Sequence, residues 1–154
     1  MNNILGKIRS MIALGVLIIL TSCGNHEKEP ANSISDNSGL SIDLNWTTSG
    51  NVPSALSQAD LDLDVFKGDG EILSSYNTNE FEHIDFTDLL EDGVYTVKIS
   101  MYEISKKSNY TLKISGATKN KTFKVSGFLD GNTEPTVPVL KITKEGDHFT
   151  LAQL

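Results

Sequence analysis

Alternation of apolar and polar residues runs through this chain from Leu40 onward. Between Tyr95 and Met101 every second residue is apolar, and shorter segments repeat the pattern. A period of two places successive side chains on opposite faces of a β-strand, so each segment predicts a strand with one buried face. The apolar positions of the other segments are Leu40, Ile42, Leu44, Trp46, Leu61, Leu63, Val65, Ile84, Phe86, Tyr110, Leu112, Ile114, Phe123, Val125, Val137, Val139, Phe149 and Leu151.

Turn-forming residues separate the alternating segments. Examples are Gly68-Asp69-Gly70 and Asp130-Gly131-Asn132, combinations that favour tight turns. No segment has the 3.6-residue period of an amphipathic helix. About eight or nine short strands without helices predict an all-β fold with two packed antiparallel sheets or a barrel, and the length of residues 40–154 suits an antiparallel β-sandwich.

Several of these segments also carry a recognisable order of motifs. Residues 41–48 read SIDLNWTT, residues 59–66 ADLDLDVF, residues 92–97 DGVYTV and residues 109–112 NYTL. In this order they resemble the bacterial pre-peptidase C-terminal domain over about residues 40–115. The resemblance implies a jelly-roll-like β-sandwich with an accessory role beside secreted enzymes.

The N-terminus has the composition of an export signal. Lys7 and Arg9 precede an unbroken apolar run over residues 11–20. About 20 apolar residues are needed to span a bilayer as a helix, so this run is short for a permanent anchor. We therefore predict a signal peptide over residues 1–22, with an uncleaved N-terminal membrane anchor as the alternative.

The end of that signal resembles the lipobox of bacterial lipoproteins. Leu20, Thr21 and Ser22 lead to Cys23, the only cysteine of the chain. In a lipobox this cysteine is lipidated and becomes the mature N-terminus, and several acyl chains together hold a protein durably on a membrane. We expect a cell-envelope location, in the outer membrane with the domain periplasmic or surface-exposed, because Gly24 replaces the Asp that favours inner-membrane retention.

Residues 23–39 differ in composition from the rest. They are rich in Asn, Ser, Gly and charged residues, and Ile34 is their only large aliphatic residue. Such a composition cannot bury enough apolar surface to fold by itself. We predict that the lipidated Cys23 begins a flexible tether that ends at Gly39.

The charge balance excludes some classes of partner. The chain has 13 Lys+Arg against 20 Asp+Glu, a formal net charge of −7. Nucleic-acid binding normally requires a clustered basic face, so we expect no nucleic-acid partner. Arg9 is the only arginine, and its loss with the signal peptide removes the usual bidentate ligand for phosphate.

Three aspartates alternate with apolar residues early in the domain. The spacing of Asp60, Asp62 and Asp64 matches the first ligands of an EF-hand, but Val65 stands where that loop requires Gly, so we reject an EF-hand. Relatives in the resembled family include calcium-binding examples. We keep Asp60, Asp62, Asp64 and Asp69 as candidate Ca²⁺ ligands, with a solvated acidic face as the alternative.

Three aromatic residues fall out of phase with the apolar sets of their strands. Phe66, Phe81 and Tyr102 are therefore candidates for an exposed contact surface. For Tyr102 the alternative is a β-bulge that returns the ring to the core.

Motifs of catalysis are not found in the sequence, and the domain contains two histidines, His83 and His148. We therefore expect a non-catalytic binding or accessory module, in contact with an envelope protein or an extracellular glycan. The alternatives are a calcium-stabilised structural surface module and a hydrolase that uses His83 or His148.

Overall fold

The computed structural model describes residues 29–48, 59–77, 80–104 and 106–154. Ten β-strands and no helices occur in these ranges, so the described part of the chain contains no helix able to cross a membrane. The strands are β1 (Ser33–Ser35), β2 (Gly39–Thr48), β3 (Ala59–Lys67), β4 (Gly70–Ser75), β5 (Phe81–Thr87), β6 (Gly93–Ile104), β7 (Ser108–Gly116), β8 (Thr122–Leu129), β9 (Thr136–Glu145) and β10 (His148–Gln153).

The strands form two antiparallel sheets. The six-stranded sheet has the order β1-β10-β9-β6-β3-β4, and the four-stranded sheet has the order β5-β2-β7-β8. Along the described strands the chain changes sheet six times, so each sheet is assembled from segments distant in sequence. The predicted all-β sandwich is confirmed, with ten strands instead of eight or nine. The additional strands, β1 and β4, lie at the two edges of the six-stranded sheet and lack the alternation that marks the others.

The core consists of the inward residues of both sheets. Leu44 and Leu112 from the four-stranded sheet and Leu63 and Ile142 from the six-stranded sheet are fully buried. Each such side chain contributes about 1.5–3 kcal/mol when it is removed from water. Aromatic rings fill the middle of this layer, where Phe86 packs edge-on against Tyr95, with ring centroids 4.9 Å apart, and against Phe149 at 6.0 Å.

Two buried aromatic residues also satisfy their polar atoms. The indole Nε1 of Trp46 donates to the carbonyl of Ala59 at 3.1 Å, which ties β2 to the start of β3 in the opposite sheet. The hydroxyl of Tyr95 donates to the carbonyl of Glu91, four residues upstream. This bond is the tyrosine corner of β-sandwich proteins and fixes the turn that leads into β6.

The folded domain begins earlier than predicted. Strand β1 pairs with β10, and Ile34 at its centre is buried in the core. Asp36 is fully buried and accepts hydrogen bonds from the backbone and hydroxyl of Thr118, at 2.7 and 3.0 Å. The prediction of flexible chain up to Gly39 is therefore wrong for residues 33–39, because three residues are too few to show a period and backbone pairing stabilises them. Residues 23–28 lie outside the described ranges.

Gly39 is the position where the backbone tolerates no side chain. Its φ is +97°, and a Cβ atom there would lie 2.2 Å from the carbonyl oxygen of Phe86. We expect Gly39→Ala to lower the free energy of unfolding by at least about 2–4 kcal/mol, since it adds a backbone clash to the strain of a positive φ. Chemical denaturation followed by circular dichroism measures the loss.

Gly68→Ala is the matched control, because Gly68 also has a positive φ (+61°) but has no atom within 4 Å of the added Cβ. We expect it to cost about 1 kcal/mol. Equal losses in the two variants would contradict the close approach at Gly39.

Candidate functional site

The outer face of the four-stranded sheet contains a shallow groove lined by uncharged polar residues. Asn45 and Thr47 of β2 and Asn109 and Thr111 of β7 point outward, since they alternate with inward residues such as Leu44 and Leu112. With Trp46 they line a depression of about 150 Å³. Asn45 lies directly opposite Thr111, and Thr47 opposite Asn109, so strand pairing sets the position of all four side chains.

Aromatic rings stand on both sides of this groove. Phe81 of edge strand β5 is the pairing partner of Asn45 and is 38% exposed. Phe128 of edge strand β8 is the partner of Asn109 and is 56% exposed. Amides and hydroxyls both donate and accept hydrogen bonds, and aromatic faces pack on apolar C–H surface. The groove therefore has the chemistry to hold a ligand that carries many hydroxyl groups.

Only one of the three predicted contact aromatics borders the groove. Phe66 lies on the outer face of the other sheet, half-buried, with the Nζ of Lys98 3.7 Å from its ring centroid. Tyr102 is 83% exposed and lies at a register shift between β3 and β6, so a bulge is present without returning the ring to the core. Phe66, Phe81 and Tyr102 therefore do not form one surface.

Sequence reasoning missed most of the groove. The four polar lining residues lie at the outward positions of strands that were predicted correctly, where exposure to solvent is the ordinary outcome. They are Asn45, Thr47, Asn109 and Thr111. The signal that could have indicated them is the absence of charge at these outward positions. Their convergence depends on the β2–β7 pairing, which joins segments more than 60 residues apart.

The second cluster is an acidic strip formed by Asp60, Asp62 and Asp64 on the outer face of β3. Asp64 is only 3% exposed, and its Oδ2 accepts a hydrogen bond of 2.6 Å from Ser100. The Oδ1 atoms of Asp60 and Asp64 are buried and have no hydrogen-bond partner among the described residues. Burial, followed by repulsion from Asp60, Asp64 and Glu82, raises the pKa of Asp62 to about 6.

The candidate calcium ligands do not come together. Within the described ranges no group of three or more His, Cys, Asp or Glu side chains is arranged to hold a metal ion. Asp60 and Asp64 lie four positions apart on β3, roughly 13 Å. Asp69 lies beyond the end of β3, in the turn to β4. Asp60, Asp62, Asp64 and Asp69 therefore do not form one ligand shell, and Ca²⁺ binding by a smaller set of them stays a prediction.

His83 is held between two carboxylates on the outer face of the four-stranded sheet. Its Nδ1 lies 2.8 Å from Asp43 and its Nε2 3.1 Å from Asp85. The hydrogen bond with Asp43, together with the one with Asp85, raises the pKa of His83 above 6.5. A catalytic triad needs one ring nitrogen for the nucleophile and the other for the acid, and here carboxylates occupy both.

His148 also departs from the geometry of a triad. Its Nδ1 lies 2.9 Å from the hydroxyl of Ser35, which donates to Glu29 at 2.7 Å. Glu29 is itself 4.0 Å from the same ring nitrogen. In a triad the serine and the acid contact opposite nitrogens of the ring, so this cluster acts instead as a link between β10 and the beginning of the domain.

The lipobox and the family resemblance both stay predictions. Leu20, Thr21, Ser22 and Cys23 lie outside the described residues. Comparison with known protein families, with curated proteins and with solved structures found no match for this chain. The resemblance to the pre-peptidase C-terminal domain therefore rests on its motifs.

The acidic strip should make stability depend on pH. The pKa of Asp62 is raised from 3.8 to about 6. Between these two pH values the folded state keeps a proton on Asp62 that the unfolded state has lost, so the free energy of unfolding falls as pH rises through this range. Above about pH 6 Asp62 is ionised in the folded state, and its full destabilising effect is present. We expect Asp62→Asn to increase the free energy of unfolding by about 1 kcal/mol at pH 7.5, a value already reduced for solvent screening, and by nothing measurable at pH 3.5. Chemical denaturation at both pH values measures this difference.

Asp69→Asn serves as the control, because Asp69 is exposed in a turn and its replacement should change stability at neither pH. The same variants examine the calcium-stabilised alternative. If the strip binds Ca²⁺, millimolar Ca²⁺ raises the melting temperature of the unaltered protein and raises that of Asp62→Asn less. An unchanged melting temperature with Ca²⁺ and with chelator would reject that alternative.

Proposed function

We propose that this chain is a lipid-anchored protein of the cell envelope whose β-sandwich is a non-catalytic binding module for an extracellular glycan. The ligand binds on the outer face of the four-stranded sheet. The observation that carries the proposal is the groove of Asn45, Thr47, Asn109 and Thr111, which lies between two exposed phenylalanines across four paired strands.

The dimensions of the groove favour a glycan over a protein partner. A stable protein–protein interface buries roughly 800 Å² on each partner and has an apolar centre. The depression measures about 150 Å³, and four of its five lining residues are uncharged and polar. A sugar ring is of comparable size, carries hydroxyl groups for Asn and Thr, and has C–H faces for aromatic contact.

The backbone of the binding face is fixed before any ligand arrives. Asn45 and Asn109 lie on β2 and β7, the two central strands of the sheet, and their neighbours Trp46 and Tyr110 are buried in the core. Binding to a preorganised surface loses less conformational entropy than the ordering of a loop. A face of this kind suits weak, repeated contacts with a polymer.

The first described residues and the groove lie toward different ends of the domain. Glu29 accepts a hydrogen bond from Ser35 and forms an ion pair of 2.9 Å with Lys121, near the first residues of β2 and β8. Cys23 lies six positions before Glu29, a reach of at most about 20 Å. The groove lies six to eight residues along β2, roughly 20–25 Å from that end. An anchor at Cys23 thus leaves the groove on the side distant from the membrane.

The anchor is tested by Cys23→Ala. In a bacterial host that processes lipoproteins, we expect labelled palmitate to enter the unaltered chain and not the variant, because the lipid is attached through the thiol of Cys23. Intact-mass measurement should give a mature chain that begins at residue 23. A mature protein that retains residues 1–22 would contradict the proposal.

The groove is tested by Asn45→Ala combined with Asn109→Ala. On a glycan array and then by calorimetry on the selected glycan, we expect the double variant to bind about tenfold more weakly, since two amides lose their hydrogen bonds to the ligand. Asn120→Ala is the matched control, because Asn120 is exposed in the β7–β8 turn, away from the groove. Equal affinity in all three proteins, or no glycan bound by the unaltered chain, would reject this binding face.

A further inference from the structure

The lysines of this acidic protein are concentrated in one hairpin. Residues 106–129 contain six lysines and no Asp or Glu, although the whole chain has 20 acidic residues and a net charge of −7. These residues cover β7 and β8, the half of the four-stranded sheet that ends in edge strand β8. Six of the ten lysines of residues 40–154 therefore lie in this half of the sheet and the loops beside it.

Three of these lysines lie beside the groove. Lys113 and Lys124 are direct cross-strand partners on the outer face, in the row next to Thr111 and Ser126. The Nζ of Lys107 lies 3.7 Å from the ring centroid of Phe128, at the border of the groove. Cations, an aromatic ring and uncharged hydrogen-bonding groups thus occur on one continuous surface.

Most of this positive charge is not neutralised by the protein. Lys113 forms a long ion pair of 3.5 Å with Asp43, and Lys121 pairs with Glu29. Within the described ranges, Lys106, Lys107, Lys119 and Lys124 form no ion pair with an acidic side chain. Like charges directly opposite each other in a sheet are unfavourable, so an anion placed between Lys113 and Lys124 would relieve their repulsion.

We infer that the groove binds an acidic polysaccharide whose sugar rings carry carboxylates, with Lys107, Lys113 and Lys124 as the residues that recognise the charge. This inference rests on the proposed function and adds the ligand class. Asn and Thr bind the hydroxyl groups, Phe128 packs on a ring, and the lysines contact successive carboxylates. The spacing fits, because neighbouring strands lie about 4.8 Å apart, close to the length of one sugar unit.

Carboxylates fit this surface better than phosphates. The domain contains no arginine, the residue that binds phosphate through two parallel hydrogen bonds. A row of uncharged side chains beside three lysines matches a polymer that alternates hydroxyl and carboxylate groups.

The experiment measures binding of the full chain in detergent to polygalacturonate, and to the same polymer with its carboxylates converted to methyl esters. We expect polygalacturonate to bind at least tenfold more tightly than the ester, and its affinity to fall about tenfold between 50 and 300 mM NaCl. Lys113→Gln combined with Lys124→Gln should remove this preference, so that polygalacturonate and the ester bind the variant with equal affinity. Lys98→Gln combined with Lys141→Gln, on the outer face of the other sheet, removes equal charge and should retain the preference.

Each other outcome overturns the inference. If polymer and ester bind equally through Asn45 and Asn109, the binding module stands and the acidic ligand is wrong. If neither polymer nor any array glycan binds, both the inference and the proposed function fail. If phosphatidylglycerol vesicles or single-stranded DNA bind as tightly as polygalacturonate and lose affinity in the Lys113/Lys124 variant, the lysines recognise phosphate.

Discussion

Burial of one face of every long strand between two sheets is the constraint on which the rest of this structure depends. The domain has no disulfide, since the only cysteine precedes it. Its stability rests on the layer in which Leu44, Leu63 and Leu112 meet the cluster of Phe86, Tyr95 and Phe149. A one-residue slip of any strand would exchange its buried and exposed sets, so this layer also fixes register. The same register fixes the positions of the outward residues, although their side chains do not contribute to the core.

The same register assembles the candidate binding face. Asn45 and Asn109 lie 64 positions apart, yet the inward packing of their neighbours sets them in adjacent rows. The polar phase of a strand is free to vary as long as it does not disturb the buried phase. The two outer faces have accordingly become different: an acidic strip follows β3, and uncharged residues and lysines cover β7 and β8.

The sequence predicted what depends on local periodicity and left open what depends on pairing. Strands such as β2 and β6 were evident, because their apolar residues alternate over seven or more positions. Strand β1 was missed, since three residues show no period, and Ile34 is stabilised by β10, more than 100 residues away. The candidate site follows the same division. Phe81 was found through its phase, whereas Phe128 and the polar lining required knowledge of which strands are neighbours.

The outer faces of the two sheets carry different charged groups: aspartates on β3, and lysines on β7 and β8. In the acidic strip, Asp64 is buried, and burial and neighbouring charges raise the pKa of Asp62 to about 6. At mildly acidic pH Asp62 therefore keeps its proton, which reduces the repulsion between the aspartates. Lysines with long flexible stems tolerate proximity by extending into water, which leaves them available to an external anion. The strip lies on the outer face of the six-stranded sheet, whereas Lys113 and Lys124 lie on the outer face of the four-stranded sheet. A polyanion is repelled by the acidic strip and attracted by Lys113 and Lys124, so local electrostatics favours the sheet that carries the groove.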